Sequence, residues 1–512
     1  MIRSLRRNLY FILSITLIYS CQIYPQRGIL TSKLESKILS GLEATFNFEF
    51  SKSERICNQI IKSYPDNPSG YHFKSIPYLW RFLDNRNDSD LVHFLELSDT
   101  TIKKGNDLLL SNLDDPFLYF ILGSAYSYRA MAFTRQENYL EAVLATKKSF
   151  AALNNSLITD STFYDAYMGL GLFNFMIAQT PPALKWAMHI SGISGDKQKG
   201  LDYLTLSVKK GKFTLVESKF YLSQILGEFY GEKGKSGKLL NNLVKHYGQN
   251  LLFRYSLANY YLKLPKLDKA ENIVKKIVAI KDTSFKQLIR YSNLLMADIY
   301  FYRNKFNTAK NYYNVFLEDS SENHYRGIAA LRSGLCYSFL SDTLNAEKYF
   351  GITDEGNIDI DDDRYAKVVG ENYSDVFPDS LQLEIVFIKN LILSGRYNEA
   401  RDSLLNVQKG KVPNSILAEI NLHLSNVYYF LRDFTQSYSY ALSAIGNDEG
   451  EKWIFPFACY YAARATAELN FTADAMDYIN KARKYSDYFF ENKLDNILGA
   501  LEFKLKKVES VK

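Results

Sequence analysis

The sequence predicts an all-α chain of stacked antiparallel helix pairs, on three observations. One set of spacings between small and large apolar residues recurs along the C-terminal half. Prolines and glycines are scarce, 11 and 26 in 512 residues, too few for a protein of many tight β-turns. The segments between turns also carry apolar residues at i, i+3, i+4 spacing. In Lys266–Ile280, Leu267, Ala270, Ile273, Val274 and Ile277 share one face, with Lys269, Lys275 and Lys276 on the other. Helices of this length bury one face only against neighbours, so they must come as an array.

The repeated spacing has a packing origin. A close helix crossing needs small residues at repeat positions 8, 20 and 27, with large residues at 11 and 24 filling the gaps. Ala297, Tyr300, Ala309, Tyr313 and Phe316 make one such set, with Phe316 where a small residue is usual. Gly334, Tyr337, Ala346, Phe350 and Thr353 make the next. The same offsets return at Ala258, Tyr261, Ala270, Val274 and Ile277, from Ser425 to Ala444, and from Ala463 to Ala482. Weaker copies begin at Ile388, Gly227 and Leu122-Gly123, for about ten repeats in all. These residues identify the chain as resembling the tetratricopeptide-repeat (TPR) superfamily. The resemblance implies an α-solenoid, a right-handed superhelix of antiparallel helix pairs. Tyrosine and phenylalanine are abundant, at 39 and 34, as rings between stacked helices would allow.

The N-terminus reads as an export signal over residues 1–20. Arg3, Arg6 and Arg7 precede a short apolar run, Leu9–Ile18. Ile18-Tyr19-Ser20-Cys21 resembles a bacterial lipobox, although Tyr19 stands where a small residue is usual. Cys21 is then the lipidation site, and Gln22 after it implies the outer membrane. An ordinary signal cut elsewhere and an uncleaved anchor are the other readings. Residues 21–34 would form a tether. Without the three arginines the 62 basic residues fall to 59, against 56 acidic ones, and no basic stripe remains for nucleic acid. Cys57, Cys336 and Cys459 are far apart in apolar patterns and read as buried small hydrophobes.

Two segments interrupt the repeats. In Phe163–Lys212, the stretch Ala166–Leu184 carries no charge, but Pro181-Pro182 would break a spanning helix, so a buried hairpin is expected. Gly169-Leu-Gly-Leu-Phe-Asn-Phe, Pro181-Pro182, Gly192-Ile-Ser-Gly-Asp196 and Gly200-Leu201 resemble a central segment of the inclusion-body-clearance family of TPR-like proteins, over about fifty residues. That resemblance implies a helical-repeat adaptor without catalytic residues. The second interruption, 351–379, carries Asp354, Glu355, Asp359, Asp361, Asp362 and Asp363. Counted as a calcium loop from Asp359, Arg364 and Gly370 take the places of the required Gly and Glu, so the segment reads as an acidic linker. It would separate a block at 35–350 from one at 380–505, with 506–512 as a tail.

No catalytic constellation emerges. The six histidines lack metal-ligand spacing, and HExxH and GxSxG are absent. Gly231–Lys238 misses the phosphate-loop pattern, with Ser236 at its sixth position and Leu239 after its final lysine, and reads as a turn between helices. No enzyme activity, metal or cofactor is expected. In a TPR array positions 5, 9, 12 and 13 of each first helix face the concave groove. Here they are Tyr255, Asn259, Lys263, Asp298 and Tyr302, then Lys389, Asn426, Tyr429, Tyr460 and Arg464. Rings, amides and single charges of both signs suit a protein or peptide partner. The expectation is a non-catalytic envelope adaptor, an outer-membrane lipoprotein facing the periplasm. The alternatives are a glycan- or nutrient-capturing TPR lipoprotein, or a cytoplasmic adaptor if the signal is misread. Trp80, Trp186 and Trp453 do not cluster as sugar platforms would.

Overall fold

The computed structural model describes residues 28–111, 114–179, 194–281, 284–447 and 450–509. The signal segment 1–20, Cys21, most of the tether and Pro181-Pro182 lie outside the described residues. Among the described residues there are 24 α-helices, one short 3-10 turn and no strand.

The chain divides into two units. The first comprises residues up to Thr45, Glu49–Trp80 and Asp88–Leu215; the second comprises Phe46–Phe48, Arg81–Asn87 and Val216 onward. The boundary falls near 215 and not in the acidic segment.

The first unit is built on α1 (Ser32–Phe46) up to Thr45, α2 (Phe50–Ser63), α3 (Ser69–Asn85) up to Trp80, α4 (Asp88–Leu110), α5 (Pro116–Arg135), α6 (Tyr139–Thr159), α7 (Ala166–Ala178) and α8 (Lys197–Lys210). The expected hairpin is the α7–α8 pair, and its glycines explain themselves. A Cβ on Gly171 would lie 3.0 Å from the Gly200 carbonyl oxygen, and one on Gly200 would lie 2.8 Å from the Gly171 oxygen. The two backbones touch, so only glycine fits at the crossing. Asp196 caps α8 by accepting from the Lys199 N–H at 2.9 Å. Just before α7, buried Asp165 accepts from the Lys212 and Thr214 N–H groups and from the Thr214 hydroxyl, which closes the segment as a loop. No helix among the described residues is long and apolar enough to cross a membrane.

His72, 2% exposed, stacks on Tyr128 with centroids 5.5 Å apart, and burial pushes its pKa down to about 3. The folded chain therefore refuses a proton that the unfolded chain accepts near pH 6.5. Stability carried by neutral His72 is complete above that pH and falls by about 1.4 kcal/mol per pH unit below it. Urea melts between pH 6 and 4 should lose stability less steeply in His72→Phe than in the wild type; parallel curves would contradict this.

The second unit continues with α9 (Leu215–Glu228), α10 (Lys233–His246), α11 (Leu251–Leu262), α12 (Leu267–Val278), α13 (Lys286–Tyr302), α14 (Phe306–Glu318), α15 (Arg326–Phe339) and α16 (Thr343–Phe350). After the 3-10 turn Thr353–Glu355 come α17 (Asp361–Asp375), α18 (Ser380–Leu393), α19 (Tyr397–Gln408), α20 (Asn414–Phe430), α21 (Phe434–Ile445), α22 (Ile454–Glu468), α23 (Thr472–Ala482) and α24 (Glu491–Glu509). Residues at repeat positions 8, 20 and 24 are the core. Ala258, Ala297, Ala270, Ala309, Val274 and Tyr313 are all fully buried. A Cβ on Gly334 would meet the Phe350 ring at 2.5 Å, which is why position 8 is small there. The large Phe316 at position 27 is accommodated by buried Arg290, whose guanidinium lies 4.1 Å over its ring and whose Nε donates to its carbonyl.

The tyrosines recur with the repeat. Tyr300 stacks on Tyr312, Tyr337 on Tyr349 and Tyr428 on Tyr440, at 5.3–5.7 Å and within 10° of parallel. Each pair joins position 11 of a first helix to position 23 of its second. A further stack links neighbouring repeats: Phe306 on Phe339 at 3.9 Å, and Tyr397 on Phe430 at 4.6 Å.

Two expectations need correction. The segment 351–379 is not a linker. Its residues 361–375 form α17, where Tyr365, Ala366, Val369 and Tyr373 pack into the core shared by α13–α16. Asp363, 1% exposed, accepts from the Ile328 N–H at the start of α15 and from the Asn357 N–H, both at 2.9 Å. Its charge answers the orphan donors of a helix N-terminus, so the acid belongs inside. Gly231–Lys238 is a turn only at its start: Gly231 has φ +62° and α10 begins at Lys233. A Cβ on Gly237 would lie 2.1 Å from the Tyr260 hydroxyl, so this glycine serves helix packing. Gly227 faces Ser236, nine residues on instead of twelve, because this hairpin is shorter; hence the weak match there.

Candidate partner-binding face

Every groove position named from the sequence lies in the second unit. Within one helix, positions 5, 9 and 12 follow i, i+4, i+7 and form a stripe. Position 8, seated on the paired helix, turns that stripe away from the hairpin's own core.

Apart from Arg464, the charges on the stripes are already matched. On α13, Asp298 accepts from the Tyr313 hydroxyl at 2.6 Å and from Arg332 Nη1 of α15 at 2.7 Å. Burial alone would push Arg332 down, but Asp298 holds it well above its usual range. Its guanidinium lies 5.7 Å from the Tyr302 ring. Tyr255 on α11 is half-buried, and burial, with Tyr325, Tyr291 and Asp298 nearby, raises its hydroxyl pKa. On α18, Lys389 Nζ pairs with Glu419 of α20 at 3.0 Å, and His423 Nε2 lies 3.3 Å from the same carboxylate oxygen. Burial opposes ionisation of Glu419, yet Lys389 and His423 pull its carboxyl below the usual range.

The last cluster joins α20 to α22. Arg464 Nη2 donates to Asn426 Oδ1 at 2.6 Å, and the guanidinium lies 4.0 Å over Tyr429 and 4.2 Å over Tyr461. Tyr460 lies 5.6 Å away. The Tyr429 hydroxyl donates to Glu468, which also takes Lys504 of α24. At the other end Lys263 pairs with Glu228. Asn259 is half-buried and makes no side-chain hydrogen bond among the described residues.

The residues the sequence reading missed are Arg332, Glu419, His423 and Tyr461. They occupy positions 2 and 6, which lie beside 5 and 9 on the same helix face. Read together, positions 2, 5, 6 and 9 would have shown the opposite charges facing each other between neighbouring helices. Among the described residues no group of His, Cys, Asp and Glu is gathered as a metal site would be. Burial pushes the Cys57 and Cys459 thiols up to about 12, so neither is a nucleophile at neutral pH.

Residues 122–349 match the family model of Iml2/tetratricopeptide repeat protein 39. No curated protein matches. Among solved structures, a tetratricopeptide repeat protein from Parabacteroides merdae is 12% identical, covering 60% of this chain and 98% of its own, with a TM-score of 0.31. Yeast Tom70 is 12% identical, covering 87% and 92%, with a TM-score of 0.32. The Cut9–Hcn1 assembly of the APC/C is 11% identical over 91% and 96%, with a TM-score of 0.25.

Proposed function

We propose that this tetratricopeptide-repeat chain, similar to the Iml2/TPR 39 family over residues 122–349, is a non-catalytic scaffold. Its partner is a protein or peptide held on the inner face of the second unit, in the bacterial cell envelope. One observation carries the reading: Arg332, Lys389 and Arg464 are each held in place across neighbouring repeats by a partner side chain on the adjoining helix. Such a face is rigid, alternates rings with polar groups and offers an extended segment contacts along its length.

The envelope location rests on the N-terminal sequence, Arg3 to Gln22. Intact mass of the native protein, with Cys21→Ala as control, tests it: acylated Cys21 at the mature N-terminus supports it, and an unprocessed chain refutes it. Binding is tested by crosslinked capture from the envelope. Partner recovered with the wild type and with Lys276→Glu/Leu442→Ser, but not with Asn259→Glu/Tyr460→Ser, supports the inner face. Equal recovery in all three refutes it.

A further inference from the structure

We infer that Arg464 receives a two-oxygen anion on this face, the carboxylate of an acidic segment of the partner; the inference rests on the partner-binding reading above. Arg464 is 8% exposed, and two tyrosine rings lie against its guanidinium at 4.0 and 4.2 Å. What remains for hydrogen bonding is the edge. Nη2 donates to the single amide oxygen of Asn426, while buried Nε, on the same edge, has no hydrogen-bond partner. A guanidinium edge presents two parallel N–H donors; an amide oxygen takes one, and a carboxylate or phosphate takes both. Leaving a buried charged donor unpaired is costly, so the edge is built for more than it holds.

The surroundings have no spare negative charge. Among the described residues Arg464 has no salt bridge, and the neighbouring Glu468 is occupied by Lys504 and Tyr429. The turn before α10 is brought to α24, with the Tyr230 and Phe503 rings 4.9 Å apart. Lys233 follows that turn; desolvation of its ammonium group is the largest cause lowering its pKa, and the cations Arg464 and Lys263 add to it while Glu228 opposes. A carboxylate at the Arg464 edge enters as the Asn426 amide rotates aside, and it relieves this repulsion.

The test needs no identified partner. The full chain is heated at constant ionic strength in chloride, in inorganic phosphate, or with a C-terminally amidated hexaglutamate peptide. The peptide should raise Tm saturably in the wild type. In Asn426→Asp the new carboxylate occupies both edge donors: its own Tm should equal or exceed that of the wild type, and the peptide shift should vanish. Arg464→Lys, which keeps charge but loses the fork, should weaken the peptide at least about tenfold. No peptide shift, or a shift retained in Asn426→Asp, overturns the proposal. Phosphate as effective as the peptide assigns the site to a free anion and overturns the partner carboxylate. The two readings fail distinguishably: inner-face capture that survives Asn426→Asp sinks only this inference, whereas a peptide shift without inner-face capture sinks the scaffold and, with it, the partner as the source of the carboxylate, leaving a bare anion site at Arg464.

Discussion

Gly200→Val should destabilise the protein by about 3 kcal/mol, the upper end for overpacking a close helix contact. Any Cβ at this position would lie 2.8 Å from both the Gly171 carbonyl oxygen and the Phe175 amide nitrogen. Those atoms are backbone and cannot turn aside as a side chain would, so α7 and α8 must move apart. Branching at Cβ adds two methyl groups to the same contact and lowers helix propensity. Gly234→Ala is the matched control. Gly234 lies inside α10 with nothing within 4 Å of an added Cβ, so alanine there should raise stability by about 0.5 kcal/mol. Urea unfolding followed by circular dichroism checks both. Equal, small changes at the two glycines would show that the α7–α8 crossing is looser than described.

Asp363→Ala should cost about 3 kcal/mol, because it strands the Ile328 and Asn357 N–H groups in the interior. Asp363→Asn keeps one acceptor oxygen and should fall between. Asp359→Ala, only a few residues away but on the exposed side, should change stability by less than about 0.5 kcal/mol. Were this stretch a solvated linker, all three substitutions would be equally silent in the same melts.

The contrast between those two segments shows what could be read in the sequence. The repeat was legible because its spacing is a packing requirement: a small residue at position 8 must face positions 20 and 24 of the paired helix. Ala297, Ala309 and Tyr313 meet that requirement with no solvent exposure. The acidic segment was misread because six carboxylates suggest solvation, and nothing in composition distinguishes Asp363, turned inward onto a helix terminus, from Asp359, turned outward. A signal was present nonetheless. Tyr365, Val369 and Tyr373 follow at i, i+4, i+8, and Gly327, Gly356 and Gly370 would each place a Cβ within 2.7 Å of Thr353 or of the Gly327–Asp363 junction. Only the fold brings those distant glycines together.

The candidate face was legible in its positions and not in its partnerships. Helical phase placed Asp298, Lys389 and Arg464 on the stripe, but polar pairing acts between repeats. Asp298 meets Arg332 34 residues on, Lys389 meets Glu419 30 residues on, and Asn426 meets Arg464 38 residues on. Those separations are close to one repeat, so the network follows from the stacking and is invisible within one helix. On the scaffold reading the same network sets the chemistry of recognition: with its other charges already paired, the face gains by exchange at the unsatisfied Arg464 edge more than by bulk attraction.

The most direct measurement places a photocrosslinking amino acid at Asn259 and Tyr460 on the candidate stripe, and at Lys276 and Leu442 on second helices, in the native protein. The scaffold account predicts one shared crosslinked partner from both inner positions and none from the outer pair. The same partner from the outer positions, with the inner ones silent, would contradict it.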